Sequence, residues 1–159
     1  MASSTTPNPI PDSYRRVTPC LVVQDGDKAL GFYAAVFGAT ERMRIPKPDG
    51  TVAHAEIEIG DSVVIVEEQS SEFGTKAPPL GGLAGSPAFL YVYVQDVDDV
   101  VAQAVKLGAQ LQRAPQDQFY GDRDGYIVDP FGHGWTISTH VEDVEPAEML
   151  RRMSEMQGV

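Results

Sequence analysis

The chain has little of what defines several large protein classes. Its single cysteine, Cys20, excludes an internal disulfide and the cysteine-rich zinc motifs. No apolar run reaches the length that a membrane-spanning helix needs. Only 12 basic side chains stand against 23 acidic ones, which gives a formal charge of −11. Because such a field repels phosphate backbones and anionic lipids, we expect neither nucleic acid nor a membrane as a partner.

The first residues also lack the features of a secretory signal. They read MASSTTPNPIPDSY, with no basic start and no apolar centre. The Ser, Thr and Pro content predicts a flexible leader over residues 1–13. We therefore expect a cytoplasmic protein.

An internal repeat is the main positive signal of the sequence. The segment 20–40, CLVVQDGDKALGFYAAVFGAT, matches the segment 90–110, LYVYVQDVDDVVAQAVKLGAQ. In both, an apolar strand is followed by Val-Gln-Asp-x-Asp and then by a helical pattern that ends near a glycine. Residues 60–66 match 132–138 at almost the same offset. These matches predict two halves of the same design.

Each half predicts a strand, a helix and three further strands. Asp25 and Asp96 are predicted N-caps of the two helices, and Gly38 and Gly108 are predicted C-cap glycines. A further helix is predicted from Pro146 onwards, over residues 146–156. The predicted strands are 17–23, 40–45, 52–59 and 62–67 in the first half, and 89–94, 109–113, 124–128 and 134–139 in the second.

The chain is therefore predicted to consist of two modules with short additions. The Gly-, Pro- and Ser-rich stretch 70–87 is the predicted linker between them. The full division is a leader over 1–13, a first βαβββ module over 14–69, the linker over 70–87, a second βαβββ module over 88–141 and a C-terminal helical segment over 142–159.

Several motifs resemble a known family. The pattern Pro19-x-Leu21-x-Val23-x-Asp25, the pair Phe32-Tyr33 and Phe37-Gly38-Ala39 resemble the glyoxalase/bleomycin-resistance/extradiol-dioxygenase superfamily, also called vicinal oxygen chelate proteins. The resemblance covers about residues 14 to 156. Three more stretches are similar to the subgroup labelled 3-demethylubiquinone-9 3-methyltransferase-like: DQFYGDR at 117–123, DPFGH at 129–133 and THVED at 139–143.

The resemblance implies a fold and an assembly. The expected fold class is α+β, with two tandem βαβββ modules whose curved mixed sheets form a cleft. It also implies that the protein is a homodimer and that the cleft is built either within one chain or across the dimer. The apolar stripe of Met149, Leu150 and Met153 on the predicted C-terminal helix needs an apolar partner, which is either its own chain or a second copy.

The resemblance further implies where a catalytic metal would be bound. Metal enzymes of this family use one ligand on the first strand and one on the last strand of each half, and these positions hold Thr18, Ile65, Phe89 and Thr136 here. None of the four is a histidine or a carboxylate, the groups that divalent ions require. We therefore expect no metal and no cofactor.

Strand alternation from these four positions predicts the lining of the cleft. The resulting set is aromatic and apolar with a few hydroxyls, which is typical of a small-molecule pocket. It consists of Thr18, Cys20, Val22, Val63 and Ile65 in the first half, and of Phe89, Tyr91, Tyr93, Gly134, Thr136 and Ser138 in the second.

Polar candidates accompany this set, and each has two interpretations. His54 and Glu56 are either a ligand-binding or acid–base pair, or the half-exposed face of a strand. Arg123 is either an anion clamp at the cleft mouth or part of a local salt bridge. Phe119 and Tyr120 either close over a ligand or hold their loop together.

These observations favour a small-molecule-binding protein without the usual metal site, which takes an aromatic or apolar metabolite or drug. The alternative is a metal-independent isomerase or lyase that uses His54 and Glu56 as catalytic residues. A metal-dependent glyoxalase-type lyase is a third and weaker alternative. The predicted ligand-binding residues are Thr18, Cys20, His54, Glu56, Phe89, Tyr91, Tyr93, Phe119, Tyr120, Arg123 and Thr136.

Overall fold

Two four-stranded sheets, one from each half of the repeat, form the framework of the molecule. The computed structural model describes residues 7–80 and 87–157, so part of the predicted leader and of the predicted linker lies outside the described residues. The elements are β1 (Cys20–Val23), α1 (Gly26–Phe37), β2 (Thr40–Pro46), β3 (Val52–Ile59), β4 (Ser62–Glu68), β5 (Leu90–Tyr93), α2 (Val97–Lys106), β6 (Gln110–Asp117), β7 (Asp122–Val128), β8 (Gly134–His140) and α3 (Pro146–Gln157).

The two sheets have the same topology. Their strand orders are β1-β4-β3-β2 and β5-β8-β7-β6. The first strand of each half pairs in parallel with the last one, and the remaining pairs are antiparallel. Each sheet is therefore mixed, and the predicted α+β fold of two tandem βαβββ modules is confirmed.

Helix caps follow the repeat. The Asp25 carboxylate accepts a hydrogen bond from the Lys28 N–H, and that of Asp96 accepts one from the Asp99 N–H. Helix α1 ends at Gly38, whose φ of 64° is left-handed and suits a residue without a Cβ. Helix α2 instead ends at Leu107, so the C-cap prediction is confirmed in the first half and shifted by one residue in the second.

The edge strands β1 and β5 are shorter than predicted, and the hairpin of β6 and β7 is longer. The Pro19 carbonyl accepts a hydrogen bond from the Ile65 N–H at 2.9 Å. Because proline has no N–H to donate, β1 begins only at Cys20. In the hairpin, the Gln118 N–H donates to the Asp122 carbonyl at 2.7 Å. This tight turn extends the ladder towards residue 117 on one side and residue 122 on the other.

One face of each sheet packs under its helix, as strand alternation predicts. Leu21, Val23, Trp135 and Ile137 are all buried in one continuous core, and Val92 packs at its edge. Burial of such side chains is the main stabilising contribution to a fold of this size. The opposite face of each sheet lies away from α1 and α2.

Aromatic side chains and a buried carboxylate connect the two halves. The ring of Tyr33 on α1 lies 5.6 Å from that of Trp135 on β8, centroid to centroid. The Tyr33 hydroxyl donates to the buried Asp129 carboxylate at 2.7 Å, and the Trp135 indole N–H donates to the same carboxylate at 2.9 Å. His133 Nε2 lies 2.8 Å from the Val22 carbonyl oxygen. The halves are thus held by both apolar packing and buried hydrogen bonds.

Helix α3 packs loosely on the second half. Arg152 pairs with Glu142 at 2.7 Å and fixes the helix to the preceding loop. On the outer side Leu150 is 67% exposed and Met156 is 71% exposed.

Among the described residues, none of the helices has the length and hydropathy that crossing a membrane requires.

Candidate ligand-binding faces

The helix-free side of each sheet carries a different set of side chains. The strand registers place the members of each set on the same side of their sheet. We call the first set the ionic face, made of Cys20, Val22, His54, Glu56, Glu58, Val63, Ile65 and Glu67. We call the second the aromatic face, made of Tyr91, Tyr93, Asp122, Asp124, Tyr126, Thr136 and Ser138, with Phe89 just before β5.

Exposed rings follow strand β5 on the aromatic face. Alternation along the chain brings Phe89, Tyr91 and Tyr93 to one side, where they are 56%, 45% and 62% exposed. The ring centroids of Tyr91 and Tyr93 lie 5.3 Å apart, with the ring planes tilted by 48°. Phe89 packs edge-on against Tyr126 at 5.8 Å. The rings form an apolar wall whose surfaces are accessible to a ligand.

A glycine on β8 allows this packing. A Cβ at Gly134 would lie 2.3 Å from the Tyr126 hydroxyl and 3.2 Å from the Phe89 Cβ. Any larger side chain at this position would therefore displace both rings. Gly134 belongs to the set predicted to line the cleft, and the structure gives it this spacing role.

The carboxylate of Asp122 lies behind the exposed rings. It accepts hydrogen bonds from the hydroxyls of Tyr93 at 2.9 Å, of Tyr91 at 3.1 Å and of Ser138 at 3.1 Å, and His140 Nδ1 lies 2.7 Å away. Burial raises the pKa of Asp122, but the hydrogen bonds outweigh it and lower the pKa overall. The bond with His140 makes the largest contribution to this lowering. The hydrogen bond to Asp122 in turn raises the pKa of Tyr93 to about 12.

A second carboxylate, Asp124, is fully buried two residues further along β7. Arg113 Nη1 lies 2.6 Å from its Oδ1, and the Gln118 amide donates to it at 2.9 Å. The Tyr120 hydroxyl also donates to Asp124, and burial together with this bond raises the pKa of Tyr120. From the sequence, Asp122 was noted only within the motif DQFYGDR, and Asp124 was not singled out. Their two-residue spacing, which puts both on one face of β7, is the signal that would have found them.

The ionic face is built around His54. Its Nδ1 lies 2.9 Å from Glu67 Oε1, and its Nε2 lies 3.4 Å from Glu56 Oε1. Glu56 is only 5% exposed because Tyr14 covers it, and the Tyr14 hydroxyl donates to its two oxygens at 2.7 and 2.9 Å. The Arg42 guanidinium lies 5.1 Å from the centre of the Tyr14 ring. His54 and Glu56 are therefore in contact, although the distance is long, and Tyr14, just after the predicted leader, covers Glu56.

These contacts set the protonation of the ionic face. The hydrogen bond from Tyr14 lowers the pKa of Glu56 despite its burial. Burial lowers the pKa of His54, but the hydrogen bonds with Glu67 and Glu56 outweigh it and raise the pKa overall. Burial and the nearby Glu67 raise the pKa of the Cys20 thiol, which disfavours the thiolate that a nucleophile needs.

A groove of about 1010 Å³ runs between the two halves. Its lining includes Tyr91 and Tyr93 from the second half, Val63 and the turn at Asp61 from the first half, and Trp135 on β8. His54 and Glu56 do not line it. The groove therefore runs along the β5 side of the aromatic face, and Val63 is the member of the ionic face that also lines it.

The remaining predicted site residues occupy different places. Thr136 is buried on the aromatic face, and Thr18 precedes β1. Phe119 and Tyr120 lie in the turn between β6 and β7, where their rings pack edge-on at 5.1 Å. The structure thus brings Thr136 and Tyr120 to the aromatic face together with Phe89, Tyr91 and Tyr93.

Arg123 forms salt bridges away from the groove. Its side chain lies on the helix side of the second sheet, because β7 alternates and its neighbours Asp122 and Asp124 occupy the aromatic face. The guanidinium pairs with Asp98 on α2 at 2.8 Å and with Asp117 on β6 at 3.0 Å. Both partners differ from the adjacent aspartates, and Arg123 is not placed to clamp an anion in the groove.

The residues at the family's metal positions do not fit a divalent ion. Phe89 packs its ring on Tyr126, and Thr18, Ile65 and Thr136 supply at most neutral hydroxyls. Within residues 7–80 and 87–157, no group of three or more His, Cys, Asp or Glu side chains is arranged to share an ion.

Comparison with known proteins now identifies the family. The profile of the glyoxalase/bleomycin resistance protein/dioxygenase superfamily matches residues 15–137. The chain belongs to this superfamily. It is 37% identical over 139 residues to the uncharacterized protein Mb0911c of Mycobacterium bovis, which covers 87% of this chain and 91% of that protein. The uncharacterized protein Rv0887c of Mycobacterium tuberculosis has the same identity over 82% of its length.

Solved structures of the superfamily share the fold. TioX from Micromonospora sp. ML1 is 26% identical, with a TM-score of 0.59 that covers 82% of this chain and 100% of TioX. A putative 3-demethylubiquinone-9 3-methyltransferase, the PhnB protein of Bacillus cereus, is 15% identical and has a TM-score of 0.62 over 79% of this chain and 99% of its own. The latter identity is low enough that it supports the fold alone.

Proposed function

We propose that this protein binds a small aromatic or apolar metabolite or drug in the groove, against the aromatic face, without the usual metal site. The observation that supports this most directly is the groove itself, about 1010 Å³ in volume and lined by Phe89, Tyr91 and Tyr93. Its size is at the upper end for small-molecule sites, which are typically about 300–1,000 Å³. Apolar walls with a few fixed polar groups are also typical of such sites.

We also propose that the chain belongs to the subgroup labelled 3-demethylubiquinone-9 3-methyltransferase-like. The motif DQFYGDR, which carries that resemblance, supplies Gln118, Tyr120 and Asp122 to the hydrogen-bond network behind the rings. The motif therefore has a physical purpose, since it builds the polar support of the aromatic face. The PhnB protein of Bacillus cereus shares the overall fold of the chain.

A thermal-shift screen of metabolites and aromatic drugs tests the binding proposal, because a ligand that binds only the folded state raises the melting temperature. Hits are then measured against Tyr93→Leu, which removes an exposed ring, and His54→Gln, which alters the ionic face. We expect the first variant to lose most of the shift and the second to keep it. A broad library that gives no shift with any planar compound contradicts the proposal.

The alternative function is a metal-independent isomerase or lyase on the ionic face. The observation that favours it is the chain of contacts from Glu67 through His54 to Glu56, which could hold a base and an acid within reach of one substrate. Access to Glu56 would require Tyr14 to move. Once a substrate is found, turnover by His54→Ala is the test, and normal turnover rules out His54 as the base. A metal-dependent lyase is disfavoured by the side chains at the four metal positions.

We propose that the protein is a homodimer. Large apolar side chains are exposed on several elements, including Ile45 on β2 at 50%, Leu111 on β6 at 48% and Leu150 on α3 at 67%. A two-fold contact would cover the same patch on both copies. Light scattering at micromolar concentration should give about twice the chain mass of 17.2 kDa. A mass near that of one chain at every workable concentration contradicts the dimer.

A further inference from the structure

Three tyrosine hydroxyls at the aromatic face are committed to carboxylates. The phenolic O–H of Tyr93 donates to Asp122 at 2.9 Å, and that of Tyr91 has Asp122 at 3.1 Å and Asp124 at 3.4 Å within reach. Tyr120 donates to Asp124. A phenol has only one proton to donate. These three tyrosines therefore present ring faces, rather than hydrogen-bond donors, to an incoming ligand.

Donation to a carboxylate also changes the rings themselves. A hydrogen bond to an anion shifts electron density from the hydroxyl towards the ring, and linked hydrogen bonds in a buried network polarise one another. The face of an aromatic ring is already its negative side, and a cation within about 6 Å of the centroid is attracted to it. The tilted rings of Tyr91 and Tyr93, 5.3 Å apart, offer two such faces side by side.

The charged side chains near the groove are paired with one another. In the lining, Arg15 lies 3.8 Å from Asp61, and His140 lies 2.7 Å from Asp122 and 2.8 Å from Asp143. Outside the lining, Arg113 lies 2.6 Å from Asp124, so it too has an acidic partner. With 23 acidic and 12 basic side chains in the chain, the long-range field attracts cations.

We propose that the aromatic face binds the cationic group of its ligand, a quaternary or protonated amine attached to an aromatic or apolar body. The cation lies against the rings of Tyr91 and Tyr93, and the apolar body occupies the groove towards Phe89 and Trp135. This inference rests on the proposed function and names the class of ligand. Cages of aromatic rings are a general solution for binding quaternary ammonium groups.

A pair of isosteric probes tests the proposal on the full-length protein. The cation 4-hydroxy-N,N,N-trimethylanilinium and the neutral 4-tert-butylphenol have the same shape and differ in charge. Dissociation constants are measured by calorimetry or by ligand-observed NMR. The cation should bind about tenfold more tightly than the neutral probe to the wild-type protein, the size expected for a partly desolvated cation–ring contact.

Variants localise the effect. Tyr93→Leu should reduce the preference for the cation to about twofold or less, since it keeps apolar bulk but removes a ring. Tyr93→Phe keeps the ring without the bond to Asp122, and it should retain an intermediate preference. Phe73→Leu, at a ring that is 79% exposed and does not line the groove, is the matched control and should leave both affinities unchanged.

Each other outcome overturns the inference. Equal or tighter binding of the neutral probe shows a plain apolar site, and the proposed function then stands without a cationic ligand. If Tyr93→Leu and Tyr93→Phe both keep the full preference for the cationic probe, the charge is recognised elsewhere. Failure of both probes to bind at millimolar concentration also overturns it, and the thermal-shift screen then decides the proposed function separately.

Discussion

The two open faces of the molecule have the same backbone design and different chemistry. Cys20 and Val22 occupy on β1 the places that Tyr91 and Tyr93 occupy on β5, since each pair faces away from the helices and flanks the parallel partner strand. The helix-facing residues of both halves are apolar and interchangeable in kind. The comparison shows that the repeat preserves the core, which specifies the fold, while the other side of each strand is free to vary.

The faces also differ in how they are closed. Tyr14 covers the ionic face and bonds to Glu56, whereas the rings of Tyr91 and Tyr93 stay exposed along the groove. Polar groups on the ionic face bond to one another at the surface of the sheet. On the aromatic face they lie beneath the rings and support them. This difference is why we propose that the ligand binds at the second half.

The largest expected effect contrasts the buried carboxylates of the two faces. Asp124→Asn should lower the free energy of unfolding by about 3 kcal/mol, because it leaves the paired charge of Arg113 and several donors without an anionic acceptor. Glu56→Gln should cost about 1 kcal/mol, because Tyr14 and the weaker contact with His54 are its partners. Urea denaturation of both variants measures the difference.

Ser154→Ala on the outer side of α3 is a matched surface control for these measurements, since its hydroxyl bonds only to the Leu150 carbonyl at 2.9 Å. Its effect should stay within about 0.5 kcal/mol of wild type. If Glu56→Gln costs as much as Asp124→Asn, the ionic face is as tightly built as the aromatic one, and the contrast drawn above is wrong.

The pH dependence of stability should have opposite signs for the two faces. The pKa of His54 is raised on folding, so protonated His54 stabilises the fold below its unfolded pKa of about 6.5, and this contribution is lost as the pH rises through the raised value. The pKa of Asp122 is lowered, so its contribution is present above about pH 4 and is lost as the pH falls through the folded value.

At pH 6 the free energy of unfolding of His54→Gln should be about 1 kcal/mol lower than that of wild type. This difference should therefore decrease towards pH 9. The gap between wild type and Asp122→Asn should instead narrow as the pH is lowered from about 5 to 2. Denaturation curves at a series of pH values measure both gaps. If the difference between wild type and His54→Gln instead increases with pH, the neutral imidazole is the stabilising form and the prediction is contradicted.

The smallest effect is expected from metal removal. The four metal positions provide no anionic or imidazole ligand, since they hold Thr18, Ile65, Phe89 and Thr136. Chelation with EDTA should therefore leave the melting temperature of the protein unchanged. Protein purified without a metal-affinity tag should contain substoichiometric zinc, nickel, iron and manganese. One tightly held ion per chain, lost in the double variant His54→Ala, Glu56→Ala, would place a metal on the ionic face.

The sequence predicted the fold because the fold depends on local and repeated signals. Alternating apolar residues such as Leu21 and Val23, the caps Asp25 and Asp96, and the offset between the halves are all visible without a structure. The same alternation correctly placed Tyr91, Tyr93 and Thr136 on one face. These predictions concern neighbours along one strand or helix.

Contacts between distant segments were beyond the sequence. Nothing local to Tyr14 indicates that its hydroxyl reaches Glu56, which lies 42 residues away. Arg123 was judged from its sequence neighbours, but an adjacent residue on a strand points to the opposite face, and the partner Asp98 lies on another element. Burial of Asp124 likewise depends on Arg113 and Tyr120 arriving from the other strand and the turn.

Mapping the bound ligand onto the two faces tests the central claim most directly. A nitrogen-15-labelled protein is titrated with the compound that gives the largest thermal shift, and the backbone amide signals are followed by NMR. We predict that the signals of Tyr91, Tyr93 and Thr136 move in a saturable way while those of His54 and Glu56 stay in place. Saturable changes confined to His54, Glu56 and Glu67 would contradict the assignment and would locate the ligand on the ionic face.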